Sequence, residues 1–354
     1  MTNLKSILIE EINLKGPMPL SHYIQKCLFH PIYGYYMKET VFGTGGDFTT
    51  APEVSQMFGE LLAMSILQAW MDQGSPSKII LAELGPGRGT LMADVLRTLK
   101  NHPEFLNATE IHLIEASQNL KLKQKKILSG YKIFWHNEFP CFDGKHLFLI
   151  ANEFFDALPI EQFLRKGKKF FRRTVQLVDN ELTYGLEKKP TKNSFLHNRL
   201  TDTSDGDFVE LNMTAAQLSR SIGTHINKFG GLAIVIDYGD WHSLGDTLQA
   251  VKSHKYCDIF ISPGKVDITA HVDFEILATS SGCAFSKLTT QGVLLERLGI
   301  THRAKKLAKN LSGKDLENHI AAHRRLTHPE EMGSLFKALS LFPKHAPCPP
   351  GFEQ

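Results

Sequence analysis

Leu81-Ala82-Glu83-Leu84-Gly85-Pro86-Gly87-Arg88-Gly89-Thr90 is the stretch that decides the fold. An apolar strand over 79–84 runs into a glycine-rich turn, and the spacing predicts a helix from Thr90 to Lys100. Glycines in such a turn let the backbone bend sharply and let a ligand approach without a Cβ in the way. The stretch therefore predicts a nucleotide-type cofactor bound at the edge of a parallel sheet.

The spacing within the turn separates two kinds of cofactor. A dinucleotide fingerprint reads Gly-x-Gly-x-x-Gly, whereas here the third glycine, Gly89, comes one position early. Glu83 stands two positions before Gly85, and an acid suits the ammonium and sulfonium of S-adenosylmethionine (SAM), which has no phosphate. The pattern favours SAM, with Glu83, Gly85, Gly87 and Gly89 as candidate cofactor-binding residues.

Glu115 is the next candidate cofactor residue. It ends the predicted strand 110–115, where a carboxylate can accept hydrogen bonds from both ribose hydroxyls. Dinucleotide sites use the same arrangement, so Glu115 supports an adenosine ligand without choosing between cofactors. A solvated residue that caps the following turn is the alternative.

Further apolar strands are predicted at 132–135, 146–151 and 231–236, with helices between them. Strands that are apolar on both faces and alternate with helices predict an α/β fold with a Rossmann-like, doubly wound, mostly parallel sheet. We expect residues 1–75 to form an N-terminal helical cap and lid. Residues 76–354 would form the cofactor-binding core, interrupted by a β-hairpin and helical insertion at about 162–207.

Candidate catalytic residues follow the strand 146–151 in the motif Asn152-Glu153-Phe154-Phe155-Asp156-Ala157-Leu158-Pro159. Carboxyl ends of neighbouring parallel strands meet at one cleft, so Asn152, Glu153 and Asp156 would face it. Carboxylates match a planar, forked guanidinium with paired hydrogen bonds, which would orient its nitrogen toward a methyl donor. Alternatively the acids cap a helix, and both phenylalanines belong to the core.

A lid over the cofactor is predicted at 47–53, with Asp47 and Thr50 as candidate contacts and the glycines at 43, 45 and 46 as its hinge. The spacing Thr50-x-x-Glu53 also fits a capping box at the start of a helix running from Pro52 to about Gln73. Whether Asp47 and Glu53 touch the cofactor or only shape the loop stays open at this point.

Other polar groups have weaker assignments. Asp237 follows the strand 231–236 and should lie at the rim of the cleft. The basic stretch Arg165 to Arg173 could dock a substrate, although a solvated surface explains it equally well. His319 and His323 lack a third ligand, so no metal site is expected.

Composition limits the functional classes. The 354 residues carry a net charge of +3 with mixed signs, which argues against a nucleic-acid partner. No apolar run is long enough to cross a bilayer, and the five scattered cysteines suggest neither zinc nor disulfides. Residues 1–15 lack the pattern of a secretory signal or a mitochondrial presequence, so we expect a cytoplasmic protein without a membrane partner.

Six segments together resemble the MidA-type methyltransferases, named after mitochondrial complex I assembly members. The resemblance runs from about residue 10 to the C-terminus, and it rests on 46–60, the glycine loop, 151–159, 236–239, 267–274 and 332–337. It implies a class I SAM-dependent fold and arginine N-methylation of a protein substrate. Its mitochondrial members act on a core subunit of NADH:ubiquinone oxidoreductase, and this chain looks like a bacterial-type member. Gly85, Gly87 and Glu115 would be SAM contacts, and Glu153 and Asp156 substrate-facing acids.

Two other functions are compatible with the same residues. One is a SAM-dependent methyltransferase for a small molecule, and the other is a SAM-binding assembly chaperone that acts by protein contact. The sequence determines neither the target residue, nor the number of methyl groups, nor the oligomeric state, for which a homodimer is one option.

Overall fold

The structure is a computed structural model that describes residues 3–37, 49–243, 245–252 and 255–354. Its helices are α1 Leu4–Lys15, α2 Leu20–Phe29, α3 Ala51–Val54, α4 Gln56–Asp72, α5 Thr90–Leu99, α6 Pro103–Ala108, α7 Gln118–Ile127, α8 Ser194–Asn198, α9 Met213–Phe229, α10 Phe274–Ser281, α11 Gln291–Arg297, α12 Ile300–Ala308, α13 Gly313–Thr327 and α14 Met332–Leu335, with a 3-10 turn at Tyr35–Met37.

Its strands are β1 Met18–Pro19, β2 Ile79–Leu84, β3 Thr109–Ile114, β4 Ile133–His136, β5 His146–Asn152, β6 Glu161–Lys166, β7 Lys169–Val178, β8 Glu181–Leu186, β9 Phe208–Leu211, β10 Gly231–Asp240, β11 Gln249–Lys252, β12 Lys255–Cys257, β13 Asp267–Thr269, β14 Val272–Asp273, β15 Ala284–Phe285, β16 Thr289–Thr290 and β17 Phe336–Phe342.

The central sheet has the order β15-β17-β10-β5-β2-β3-β4, with β14 beside β10 and β16 beside β17. The five strands from β10 to β4 are parallel, whereas β17 runs antiparallel to β10. The doubly wound, mostly parallel sheet predicted from the sequence is confirmed. Chain order reverses between β2 and β5, so the cleft at their carboxyl ends is where ligands bind in such sheets.

Two hydrophobic cores explain why these strands are apolar on both faces. In β2, the side chains of Ile79 and Leu81 enter one core, and those of Ile80 and Ala82 enter the other. The strands β5 and β10 alternate in the same way. Helices α4, α5 and α11 contribute to the first core, and α9 and α10 to the second, so the parallel sheet is covered on both sides.

The N-terminal helices pack on a second sheet, with the order β1-β7-β6-β9 and with β8 beside β7. Met18 pairs with Val175, so the N-terminal strand belongs to the hairpin that the sequence predicts as an insertion. A third core joins α1 and α2 to Val175, Leu182 and Ile268. Cap and insertion thus share one hydrophobic core, while the division at residue 75 stays a prediction.

The prediction of one continuous helix from Pro52 to about Gln73 is wrong in one respect, because the structure has two helices separated at Ser55. Ser55 is extended and its side chain accepts from Met57 N at 3.2 Å, which starts α4 as a separate helix. The capping box is also wrong. Thr50 makes no side-chain cap hydrogen bond, and the Glu53 carboxylate is engaged elsewhere, as described below.

The basic stretch of the insertion is mostly structural. Arg165 donates to the carbonyls of Leu200 and Thr203, and Arg172 pairs with Glu161 and Glu187. The guanidinium of Arg173 is buried between the rings of Tyr184 and Phe208, at 4.3 and 3.7 Å from their centroids. Because these arginines are engaged within the protein, they are not available to dock a substrate as the sequence suggested. The lysines at 166, 168 and 169 are exposed.

No helix within the described ranges combines the length and the apolar character that a membrane crossing needs.

Replacing Arg173 by Ala should reduce the free energy of unfolding by about 2–4 kcal/mol. The change leaves the partner carboxylate of Asp246 without its 2.7 Å ion pair and opens space between two aromatic rings. Lys168→Ala on the same hairpin is the control, and it should change stability by less than about 0.5 kcal/mol. Chemical denaturation measures both, and equal effects of the two substitutions would contradict a structural role for Arg173.

Candidate active site

A cavity of about 1130 Å³ opens at the carboxyl ends of β2, β3, β5 and β10. This exceeds the roughly 300–1,000 Å³ of a typical small-molecule site, so a cofactor and a substrate side chain fit together. The cavity lining includes the glycine loop at one end and the 152–158 turn at the other. The two ends meet where the ring of Phe154 lies against Gly85, since a Cβ at Gly85 would sit 2.8 Å from Phe154 Cδ2.

The glycine loop forms an open cradle. Gly85 and Gly87 have φ angles of +60° and +51°, a left-handed conformation that side chains disfavour. A Cβ at Gly87 would meet nothing within 4 Å, so the backbone there faces open space that a ligand can fill. Gly89 is placed differently. It does not line the cavity and contacts the side chain of Gln124, which packs under the loop.

Gln124 holds the cofactor end of the cavity together. Its Nε2 donates to Gly87 O at 2.8 Å and to the Glu115 carboxylate at 3.3 Å, while its Oε1 accepts from Trp135 at 2.9 Å. Glu115 also accepts from Ser117 N at 2.7 Å, and it lines the cavity. Burial raises the pKa of Glu115 to about 7. A ligand hydroxyl at this position would donate to an oriented, poorly hydrated carboxyl.

Glu83 is the most unusual group of the cofactor end. The residue is 3% exposed, and its Oε2 has no hydrogen-bond partner in the described part of the chain. Burial raises the pKa of Glu83 to about 8, and the Glu115 charge adds to the rise. A buried carboxyl with an unused oxygen at a cavity wall fits a ligand cation, because only a cation would compensate its loss of hydration.

The short helix α3 ties the two ends of the cavity to each other. Glu53 accepts from Thr90 Oγ1 at 2.6 Å and from Arg88 at 3.2 Å, so it binds the glycine loop. Two residues earlier, Ala51 N donates to the carboxylate of Glu153 at 3.3 Å. A helix of four residues thus connects the cofactor loop to an acid of the opposite wall.

The 153–156 turn is organised by Asp237, which is fully buried at the carboxyl end of β10. Its Oδ2 accepts from the backbone N–H groups of Phe154, Phe155 and Asp156, at 3.1, 2.8 and 3.3 Å. Its Oδ1 accepts from Tyr238 N at 2.8 Å. These bonds offset the left-handed backbone of Glu153, whose φ of +51° costs about 1–3 kcal/mol. The expected rim position of Asp237 is therefore wrong, because its carboxylate holds the turn and does not line the cavity.

Carboxyl groups crowd the end of the cavity beyond Phe154. Burial raises the pKa of Asp156 well above its ordinary value, and the charges of Asp237, Asp267 and Glu153 add to the effect. Tyr36, from the N-terminal cap, donates to Asp267 Oδ1 at 2.8 Å. Four acids thus share a region with little water, and Arg325 on α13 is a cation that reaches the same cavity.

Most predicted site residues lie together. The cavity lining includes Glu83, Gly85, Gly87, Glu115, Thr50, Asn152, Glu153 and Asp156. Like Glu83 Oε2, Asn152 Oδ1 is a buried acceptor that has no hydrogen-bond partner among the described residues. Asp47 and the hinge glycines lie outside the described residues, so their part in a lid stays a prediction.

Several lining residues were not predicted. Sequence reasoning missed Asn137 and Glu138, although both directly follow a predicted strand and the strand-end rule could have found them. It also missed the lining residues Tyr36, Tyr256 and Arg325, which come from distant parts of the chain and leave no local signal. Gln124, which supports the glycine loop from outside the cavity lining, was missed as well.

One histidine and acid cluster lies outside the cavity. His242, Asp273 and Glu275 approach within 4.8 Å of one another. Both ring nitrogens of His242 are engaged, with Glu275 at 2.7 Å and Asp202 at 2.6 Å. The contacts of a hydrogen-bonded ion pair therefore account for this cluster.

Glu83→Gln should stabilise the ligand-free protein at pH 8, by on the order of 3 kcal/mol. Because the folded-state pKa is raised, the wild type loses stability as pH rises from the ordinary carboxyl range to about 8, and the amide escapes this loss. At pH 4, where the acid is protonated in both states, the two proteins should unfold alike. Thermal unfolding at both pH values tests this, with the exposed Glu317→Gln as control. A lower melting temperature of the Glu83 variant at pH 8 would contradict the assignment.

Comparisons with known proteins agree with this geometry. A family model described as "Putative S-adenosyl-L-methionine-dependent methyltransferase" matches residues 61–293. The mitochondrial protein arginine methyltransferase NDUFAF7 of Xenopus laevis is 34% identical over 95% of this chain and 83% of its own length. The human protein of the same name is 30% identical over 95% of this chain and 82% of its own length.

Solved structures from Burkholderia thailandensis share the whole fold. One, bound to S-adenosyl-homocysteine, is 25% identical and superposes with a TM-score of 0.84 over 98% of this chain and 93% of that chain. A native structure is 26% identical with a TM-score of 0.81 over the same shares. The MidA-type family predicted from the motifs is confirmed.

The residues present fit this cofactor, since Glu83 offers an unpaired buried carboxyl to an ammonium and Gly87 leaves room for the ligand backbone. The protein is a methyltransferase whose cofactor is SAM. The chain belongs to this family of S-adenosyl-L-methionine-dependent methyltransferases.

Proposed function

We propose that this enzyme transfers a methyl group to an arginine side chain of a protein. The supporting observation is the group of acids at the end of the cavity beyond the glycine loop. Glu153 and Asp156 line it, and neither forms a salt bridge within the described ranges. Buried carboxyls without cations call for a cationic ligand, and a guanidinium matches them with several hydrogen bonds at once.

The relatives support arginine over other nitrogen nucleophiles. Proteins at 30–34% identity along nearly the whole chain are named protein arginine methyltransferases. The cavity is also large enough to hold a long side chain beside the cofactor.

The chemistry asks mainly for positioning. SAM supplies an electrophilic methyl group on its sulfonium. The acids of the far wall hold the guanidinium so that one terminal nitrogen points toward the glycine loop, and Phe154 packs beside Gly85 where the two ligand sites meet. As the N–CH₃ bond forms, the bond between the methyl group and the sulfonium sulfur breaks and S-adenosylhomocysteine leaves. The nitrogen loses a proton, which a facing carboxylate such as Asp156 accepts and passes to solvent. The raised pKa of Asp156 makes its carboxylate a stronger proton acceptor than an ordinary aspartate.

The target we propose is a subunit of respiratory NADH:ubiquinone oxidoreductase or a similar protein, in line with the sequence motifs. The relatives named above are mitochondrial, so the expected cytoplasmic location of this chain stays a prediction. The homodimer option likewise stays a prediction.

Gly87→Val should abolish SAM binding and arginine methylation together, because a branched side chain at φ +51° would fill the cradle. Calorimetry measures the binding, and mass spectrometry compares arginine methylation in cells with and without the gene. Gly130→Val, at an exposed position with no atom near its Cβ, is the matched control and should preserve both.

The same strains separate the rival functions. If proteome-wide arginine methylation is unchanged by loss of the gene, a small-molecule substrate replaces the proposal. If complex I assembly depends on the gene and Gly87→Val supports it fully, the protein acts as a chaperone.

A further inference from the structure

We propose that Asp267, held by Tyr36 of the N-terminal cap, is the second carboxylate of the guanidinium clamp and acts with Asp156. In this account Glu153 is a positioning residue and does not bind substrate. The inference rests on the proposed arginine specificity and assigns its subsite to particular residues.

The geometry places Asp267 beside the 153–156 turn. Ala270 N donates to Asp156 O at 3.1 Å, which fixes the end of the segment 267–270 against that turn. Asp267, Asp156 and Tyr36 all line the main cavity. The Asp267 charge is close enough to Asp156 to add to the rise in the pKa of Asp156, which burial mainly causes. Two carboxyls from separate segments of the chain therefore line the same cavity.

Tyr36 gives Asp267 its orientation. Its hydroxyl donates to Asp267 Oδ1 at 2.8 Å, across a sequence distance of 231 residues. Burial, with the nearby Asp267 charge, raises the pKa of Tyr36 well above its ordinary value, so the phenol stays a neutral donor. A fixed donor on one oxygen restrains the carboxylate plane, and a planar guanidinium requires such restraint for paired hydrogen bonds.

The other two acids of the cluster, Asp237 and Glu153, already accept hydrogen bonds that hold backbone segments in place. Asp237 accepts four backbone N–H groups and is fully buried. Glu153 Oε1 accepts from Ala51 N and from Asn152 Nδ2 at 3.1 Å, so this side chain holds α3 to the wall. The Asp156 carboxyl accepts from the backbone N–H of the next residue, Ala157, and the charge of Asp267 reaches it. Asp156 and Asp267 both line the cavity, and a forked cation can bridge them there.

This assignment explains two features of the chain. The motif at 267–274 carries an acid at the first residue of β13, where no helix needs a cap. The N-terminal cap reaches the reaction cavity through the side chain of Tyr36. The cap therefore contributes to substrate recognition as well as to the fold.

The test compares two blocked amino acids, N-acetyl-arginine methylamide and its citrulline analogue, in NMR titrations of the full chain saturated with S-adenosylhomocysteine. Citrulline has nearly the shape of arginine without its charge. The wild type should bind the arginine compound at least about tenfold more tightly than the citrulline compound, which is the difference expected from one good charge-assisted hydrogen-bonded pair. Asp267→Asn should reduce this preference at least about fivefold, and Tyr36→Phe about threefold, with unchanged affinity for S-adenosylhomocysteine.

Matched controls remove an equally buried group outside the cavity. Tyr23→Phe deletes a tyrosine hydroxyl that donates to Ile259 O at 2.6 Å in the same cap, and Glu210→Gln neutralises a buried acid of the insertion. Both should keep the wild-type preference. Retained binding of S-adenosylhomocysteine shows that each variant is folded.

The outcomes separate the two proposals. If the wild type prefers arginine and Asp267→Asn keeps that preference, the clamp assignment is wrong while arginine methylation stands. If the wild type binds both compounds equally, or neither, a carboxylate clamp is excluded. Absence of arginine methylation in cells, measured independently, would instead overturn the proposed function.

Discussion

The carboxyl ends of four parallel strands converge on one cavity, so the acids at those ends must share a space that water hydrates poorly. Burial raises the pKa of Glu83 to about 8 and that of Glu115 to about 7, and it raises the pKa of Asp156 as well. A fold selected for stability alone would not collect such groups. Their cost to the free protein is compensated when cationic and hydroxyl-bearing ligands bind, which is the physical basis of the cofactor and substrate assignments.

One buried acid differs from the rest, and the site depends on it. Asp237 accepts four backbone N–H groups, so it acts as an anchor for the turn that carries Glu153 and Asp156. This turn places Phe154 against Gly85 and brings the Glu153 carboxylate within hydrogen-bonding distance of Ala51 N. The glycine loop, helix α3 and the 153–156 turn are therefore parts of one hydrogen-bonded unit, and a shift at one end reaches the other.

The parts of the site that could be predicted from sequence are those whose signal is local. The strand and glycine loop at 79–90, and the strand ends at Glu115 and Asn152, follow from hydrophobic runs and the position of polar residues. Long-range pairs left no such signal. The bond of Glu53 to Thr90 overrode a capping pattern, and the burial of Arg173 between two rings made a basic run structural. The contact of Tyr36 with Asp267 joins residues 231 positions apart, which no local pattern reveals.

The central claim is that ligand binding satisfies carboxyls that are kept uncharged by burial, and proton release measures this directly. Calorimetric titration of SAM at pH 7, in buffers of different ionisation enthalpy, counts the protons exchanged. The account predicts a net release that approaches one proton, because the ligand ammonium ionises Glu83, and it predicts a much smaller release for Glu83→Gln. A binding heat that is independent of the buffer, or an equal release from both proteins, would contradict it.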